Sequence, residues 1–191
     1  MFKKGIFIVV LLISYCFIEP KRGDAWTGIG TTLLETYRIG LAEARTWDSN
    51  ANLTLIISVG STSSNPQSTI GLDGRREVWN MIFTNGQRNA TLILNIKRGK
   101  IAIKHAINDS APGFEVISPE QLTLDSTEMV RIAKKHGLRP GKGFVEGYHF
   151  KVIKEKQTLF FGIYGHNKDG NLKTWYMNNK GTIMGSATKN D

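Results

Sequence analysis

The sequence predicts an α+β fold of two similar units, each one helix packed on an antiparallel meander of about four strands. An amphipathic helical pattern opens each half of the chain, and alternating or β-branched runs follow each helix. A shift of 82 residues, from position 79 to position 161, also superimposes Trp79 on Phe161. The two units are expected over 26–110 and 118–191. Asp, Ser, Pro and Gly gather in the segment 108–119 between them.

Both helices are recognised by their ends. The first is predicted over about 33–48, because Thr32 and Glu35 have the spacing of a capping box. Its apolar residues recur at intervals of three and four: Leu34, Tyr37, Leu41, Ala44 and Trp47. The second helix is predicted over about 126–136, where an aspartate and a glutamate open it and Gly137 ends it.

Eight strands are predicted, four after each helix: 53–59, 77–84, 91–97, 101–107, 148–154, 159–164, 172–177 and 182–187. The pair Asn85-Gly86 is a strong tight-turn signal between two of them. One helix on a small sheet covers a single sheet face. Two such units are therefore expected either to pack together or to pair their sheet edges.

The first 25 residues have the layout of a secretory signal. Lys3 and Lys4 precede an uncharged run over 5–18, and the small residues Gly23 and Ala25 occupy the positions that a signal peptidase reads. The uncharged run is shorter than the roughly 20 residues that a membrane-spanning helix needs. We therefore expect a secreted or extracytoplasmic protein whose signal is cleaved near Ala25. Retention of the segment as an anchor remains open.

The cysteine content limits the chemistry of the mature chain. The single cysteine, Cys16, lies inside the predicted signal, so the mature chain would have neither a disulfide nor a reactive thiolate. Tyr15 precedes this cysteine where a lipoprotein signal has a small residue, which argues against lipid attachment.

The charge of the chain indicates which partners are open to it. The formal net charge is +9, and the first 25 residues contribute four basic and two acidic groups, which leaves +7. A basic balance of this size permits binding to anionic wall polymers, lipid head groups or nucleic acid. Nucleic acid ranks last, because the expected compartment is wrong and the aromatic residues are not interleaved with arginines.

No catalytic or metal-binding motif is found. The four histidines lie on four separate predicted elements: His105, His136, His149 and His166. His149 shares a strand face with Lys151, which favours a solvated histidine, and His105 is expected at the edge of the core. The segment 137–143 is one residue short of a phosphate loop, and no Gly-x-Ser-x-Gly elbow occurs. We therefore predict a non-enzymatic protein with no cofactor and no metal.

The aromatic residues of the second half are the candidate binding site. The run 159–164 is apolar on both faces, and one of its faces should cover the helix. The other face would bring Phe160 and Tyr164 together with either Trp175 or Tyr176. An exposed aromatic surface of this kind is typical of binding sites. The alternative is that the first unit seals this surface as the contact between the two halves.

Four groups of residues follow a pattern known from one protein family: 42–47 leading into 53–56; 73–75 with Trp79 and Phe83; 125–128 ahead of 133–137; and Gly170 and Trp175 with 181–183. They resemble PepSY-like modules, which occur as tandem pairs in secreted and envelope proteins of bacteria. The resemblance spans most of 33–187 and consists of aromatic anchors, turn glycines and caps. It implies a role like that of peptidase propeptides or inhibitors, although this chain has no peptidase attached.

These observations predict a secreted, non-enzymatic binding module whose partner is a protein, with an extracellular peptidase as one candidate. Two alternatives remain open. The first is a basic envelope-surface protein held by anionic wall or membrane polymers. The second is a small hydrolase with an unrecognised site.

Overall fold

The computed structural model of the chain describes residues 30–60, 69–85, 87, 89–109, 115–143 and 146–189. The predicted signal and its cleavage site at Ala25 lie outside these residues. The helices are α1 (Leu33–Trp47) and α2 (Ser126–Lys135), with a 3₁₀ turn at Pro119–Gln121. The strands are β1 (Asn52–Val59), β2 (Val78–Asn85), β3 (Ala90–Lys97), β4 (Lys100–Ile107), β5 (His149–Glu155), β6 (Thr158–His166), β7 (Leu172–Met177) and β8 (Ile183–Lys189).

All eight strands form one continuous antiparallel sheet in the order β4-β3-β2-β1-β5-β6-β7-β8. The two halves of the chain meet where β1 pairs with β5, with Leu55 opposite Ile153, Ile56 opposite Val152 and Ile57 opposite Lys151. The prediction of two helix-on-meander units is therefore wrong, and the chain forms one large sheet with two helices. The physical reason is that β1 is apolar on both faces and that β5 carries Ile153 on one face and Phe150 and Val152 on the other. An unpaired edge there would expose apolar side chains and open backbone groups.

Both helices pack on the same face of the sheet, and the core between them is continuous. Helix α1 lies over β1 to β4 and α2 lies nearest β6. One cluster of buried side chains draws on both halves. At its centre the rings of Trp79 on β2 and Phe150 on β5 stack with centroids 5.9 Å apart. The core therefore bridges the β1–β5 junction.

Helix α1 is capped from two directions. The predicted capping box is present, with Glu35 N donating to Thr32 Oγ1 and Thr32 N donating to Glu35 Oε2. The start of α2 supplies two further acceptors, because Leu33 N donates to Ser126 Oγ at 2.9 Å and Leu34 N donates to Asp125 Oδ1 at 3.1 Å. The first amides of a helix have no partner within it. The N-terminus of α1 is therefore completed by the other half of the chain.

We expect Ser126→Ala to lower the free energy of unfolding by about 2 kcal/mol, because it leaves the buried Leu33 amide without its acceptor. The Ser126 hydroxyl also donates to Gly74 O at 2.6 Å, so the substitution removes a second contact between the halves. Urea unfolding followed by circular dichroism measures the effect. Thr127→Ala is the control, since Thr127 is the exposed neighbour. Equal losses for the two variants would contradict the capping role.

Candidate functional site

No described helix packs on the second face of the sheet, which we call the open face. It is defined by the strand positions that share a side with Leu55, Ile82 and Ile153, and these three residues form a separate cluster of buried side chains. Ile57 and Phe160 pack against the cluster and are only partly buried. Every member of this cluster comes from a strand. The open face thus carries an apolar row that is formed by strand residues alone.

The apolar row runs straight across the sheet, because its members are opposite one another in register. The order is Ile93, Ile82, Leu55, Ile153 and Phe160, on β3, β2, β1, β5 and β6. This row was not predicted from the sequence. The sequence feature that could have indicated it is the presence of apolar residues on both faces of β1 and β5. A strand that is covered on one face only has no need of apolar residues on the other.

Three aromatic side chains extend the apolar row on the open face. Phe160 and Tyr176 meet edge to face, with ring centroids 6.0 Å apart. Gly162 lies on β6, two residues after Phe160, and is opposite Tyr176 on β7. A Cβ at Gly162 would lie 3.6 Å from Tyr164 Cε2 and 3.7 Å from Tyr176 Cε1, so both tyrosine rings lean over the glycine. We call Phe160, Tyr164 and Tyr176 the aromatic patch.

Trp175, the fourth predicted site residue, lies on the opposite face of the sheet. It packs against the core, and its ring meets the His136 ring edge to face at 5.8 Å. Lys173 Nζ lies 4.3 Å from the ring centroid on the same face. The predicted choice between Trp175 and Tyr176 is therefore resolved in favour of Tyr176. Successive residues of β7 point to opposite faces, and the register with β6 places Tyr176, not Trp175, on the face of the patch.

Within the described residues, the first half of the chain does not seal the aromatic patch. It extends the sheet sideways through β1 instead of stacking on it. The prediction that the contact between the halves covers this face is therefore wrong for the described residues. Phe160, Tyr164 and Tyr176 are each only partly buried, in a sheet whose other face is closed.

Lys151 lies in the middle of the open face, between Ile57 on β1 and Gly162 on β6. Burial lowers the pKa of Lys151 below its ordinary value, and the charge of Glu155 opposes this effect. Burial also raises the pKa of Tyr164 to about 12, with the neighbouring Tyr176 and Glu155 acting in the same direction. The Tyr164 hydroxyl therefore keeps its proton and remains a hydrogen-bond donor at neutral pH.

His149 is only partly exposed and contacts Arg76, so it is not the freely solvated histidine that the sequence predicts. Arg76 Nη2 lies 3.3 Å from its Nε2 atom and donates to Val59 O at 2.9 Å, while Arg76 Nη1 donates to Glu146 O at 3.1 Å. Burial and the positive charge of Arg76 lower the pKa of His149 to about 4. Burial lowers the pKa of Arg76 to about 10, so its side chain stays charged. This pair joins the two halves of the chain.

The remaining described residues form no cluster of groups suited to catalysis or metal binding. A cleft of about 200 Å³ lies beside the end of α1. Its lining residues include no histidine, cysteine or carboxylate: Tyr37, Leu41, Arg45, Ser49, Asn50, Ala51, Asn52, Leu53, Ile117 and Pro119. Among the described residues, no three His, Cys, Asp or Glu side chains are grouped so that they could hold a metal ion. Within the same part of the chain, no helix is long and apolar enough to cross a membrane.

Comparison with known proteins adds one likeness of fold. The crystal structure of a candidate lipoprotein from Clostridium difficile 630 superimposes with a TM-score of 0.53 and 12% sequence identity, over 80% of this chain and 92% of that chain. At this identity the likeness concerns the fold alone. No protein-family model matches the sequence, and no curated protein is significantly similar to it. The resemblance to PepSY-like modules stays a prediction.

Proposed function

We propose that this protein is an exported, non-enzymatic binding module that holds a protein partner on the open face of its sheet. The observation that supports the proposal best is the aromatic patch with its apolar row, on a face where no described helix packs. Aromatic side chains dominate the energetics of protein interfaces. Apolar side chains that stay partly exposed and gather on one face, as these three rings do, are typical of an interaction site.

Export is supported by the signal-like pattern of residues 1–25 and by the fold shared with a candidate lipoprotein. Cleavage near Ala25 is part of the proposal. The resemblance to PepSY-like modules favours an extracellular peptidase as the partner, since such modules occur in peptidase propeptides. Binding in the manner of an inhibitor needs a shaped surface and no reactive group of its own.

Site-specific photo-cross-linking tests the proposal. A photoreactive amino acid at position 164 is expected to capture one partner from the secreted proteins of the producing cells, and the same group at position 135 is not. Lys135 is the matched control because it is exposed at the end of α2, on the other side of the sheet. Mass spectrometry identifies the captured protein, and titration of the purified pair measures its affinity.

Substitutions in the aromatic patch test whether its side chains contribute to the affinity for the captured protein. Phe160→Ala and Tyr176→Ala should each weaken the interaction by about tenfold or more, as loss of an interface aromatic residue commonly does. Capture at positions 164 and 135 alike, or affinities unchanged in both variants, would refute the proposed face. Activity assays of a captured peptidase, with and without this protein, then test modulation.

A basic envelope-surface protein is a second candidate, supported by the net charge of +7 that remains after removal of the first 25 residues. In that case the ligand is an anionic wall or membrane polymer, and screening by salt should release the protein.

A further inference from the structure

Lys151, in the middle of the open face, is partly buried. No carboxylate of the described residues forms an ion pair with Lys151. Glu155, the acidic group that acts on its pKa, lies four residues along the same strand, which is about 13 Å of backbone. The ammonium group is therefore partly desolvated without being paired.

Such an arrangement has a cost for the isolated protein. A desolvated cation without a counter-ion destabilises the folded state, whereas an apolar side chain of similar length fits an apolar surface without that cost. The neighbours across the strands are Ile57 and Gly162, which offer no acceptor side chain. Lys151 is therefore available to pair with a carboxylate of another molecule.

The surroundings of Lys151 fit a short acidic side chain. Gly162, opposite Lys151, carries no side chain, and the rings of Tyr164 and Tyr176 lie within van der Waals contact of its Cβ position. The Tyr164 hydroxyl is a proton donor at neutral pH, and carboxylates accept hydrogen bonds from lysine and tyrosine together. The rings of Phe160 and Tyr176 would pack against the aliphatic part of the entering side chain.

The charge of the open face also favours an acidic partner. By register, the strand positions on this face carry four lysines and one carboxylate: Lys97, Lys100, Lys151, Lys189 and Glu155. Lys97 is the one that lies near an acid, 4.0 Å from Glu77. Complementary charge steers association and selects partners.

Building on the proposed function, we propose that the protein partner inserts an aspartate or glutamate from an exposed loop into the aromatic patch, where its carboxylate pairs with Lys151. The occupant is a folded protein loop, because the partly exposed rings beside Lys151 offer a packing surface as well as a charge. A phosphate-rich polymer or a lipid surface would use the lysines but not the rings.

Lys151→Met and its matched control Lys189→Met test this inference. Lys189 lies on the same face, on the exposed edge strand β8. With the protein captured at position 164 as the probe, Lys151→Met should weaken affinity by about tenfold or more, and Lys189→Met by less than about threefold. Exchanging the contacted acidic residue of the probe for its amide should give a similar loss. The two losses should not add when the changes are combined.

The isolated protein gives an independent readout. We expect Lys151→Met to leave the urea midpoint unchanged or raise it, because it removes an unpaired, desolvated charge. A clear fall in that midpoint would mean that Lys151 serves the fold, and it would overturn the inference. Equal affinity of Lys151→Met and wild type for the captured protein would overturn it as well, while the capture itself would still uphold the proposed function.

Binding to anionic vesicles distinguishes a protein carboxylate from a lipid surface as the ligand of Lys151. Vesicles of phosphatidylglycerol should bind wild type and Lys151→Met alike, since a lipid surface does not reach into the aromatic patch. Vesicle binding that depends on Lys151 as strongly as the protein probe does would overturn the assignment to a protein carboxylate. Absence of any captured protein at position 164 would instead refute the proposed function.

Discussion

Gly147→Ala is expected to prevent the chain from folding. Gly147 has φ +80°, a conformation that costs an alanine roughly 1–2 kcal/mol. The decisive effect is steric, because a Cβ would lie 1.7 Å from Ile70 O and 2.7 Å from Ile70 C. Both are backbone atoms of a segment that Tyr148 N holds through a 2.9 Å hydrogen bond to Ile70 O. We expect a loss of more than about 4 kcal/mol, a large share of the stability of a small domain.

Gly137→Ala is the matched control for this prediction. Gly137 has nearly the same backbone conformation, with φ +77°, but nothing lies within 4 Å of its Cβ position. The control should lose only the roughly 1–2 kcal/mol of the left-handed conformation. Soluble expression and urea unfolding, followed by tryptophan fluorescence, measure both variants. Similar stabilities for the two would show that the 70–76 segment can move away from β5.

The steric argument concerns the junction of the two halves. The segment 70–76 passes between α2 and the start of β5, and two further glycines mark its close approaches. A Cβ at Gly71 would lie 2.2 Å from Tyr148 O, and one at Gly74 would lie 2.5 Å from Thr127 N. Both glycines have positive φ. Close packing of backbone on backbone explains why this short segment tolerates no side chain at these points.

Local patterns predicted the elements well because helices and strands are set by nearby residues. The capping box at Thr32 and Glu35 located the start of α1, and the alternation of apolar residues located β3 and β7 within one residue. Gly40 of α1 is buried, and Met81 Sδ occupies the space of its missing Cβ, so the glycine allows the helix to approach the sheet.

The arrangement of the sheet could not be predicted because it depends on contacts between distant parts of the chain. The pairing of β1 with β5 joins residues about 100 positions apart, such as Leu55 and Ile153, and no local pattern specifies it. The same limit applies to the site. Phe160 and Tyr164 were found from the alternation of faces along the run 159–164, whereas the choice of Tyr176 over Trp175 required the register of β7 against β6.

His149 failed as a sequence prediction for a related reason. Sharing a strand face with Lys151 suggested exposure, but the open face near β5 is partly buried. The Arg76 that contacts the imidazole comes from the 70–76 segment, 73 residues earlier in the chain. A lysine and a histidine side by side on a strand are compatible with either surface. Only the long-range contact distinguishes the two cases.

Lowering the pH from 7 to 4 is expected to destabilise the protein by about 3 kcal/mol through His149 alone. Its pKa is about 4 in the folded state and 6.5 as a model value, and each unit corresponds to about 1.4 kcal/mol. Because the folded pKa is the lower one, the unfolded chain binds the proton first as the pH falls. The stability is therefore fully present above about pH 6.5 and is lost as the pH approaches 4.

The His149→Gln variant isolates this effect from the carboxylates. Glutamine keeps a polar side chain beside Arg76 but does not titrate. Glu35, whose pKa is also lowered in the folded state, loses its contribution only at the acid end of the range and does so in both proteins. The free energy of unfolding, measured in urea at half-unit steps from pH 7 to 4, should fall more steeply in wild type than in the variant. Parallel curves would mean that the imidazole takes up its proton without disturbing Arg76. The contact between Arg76 and His149 would then contribute little to the stability of the junction between the two halves. That stability would depend on the packed glycines and on the caps of α1.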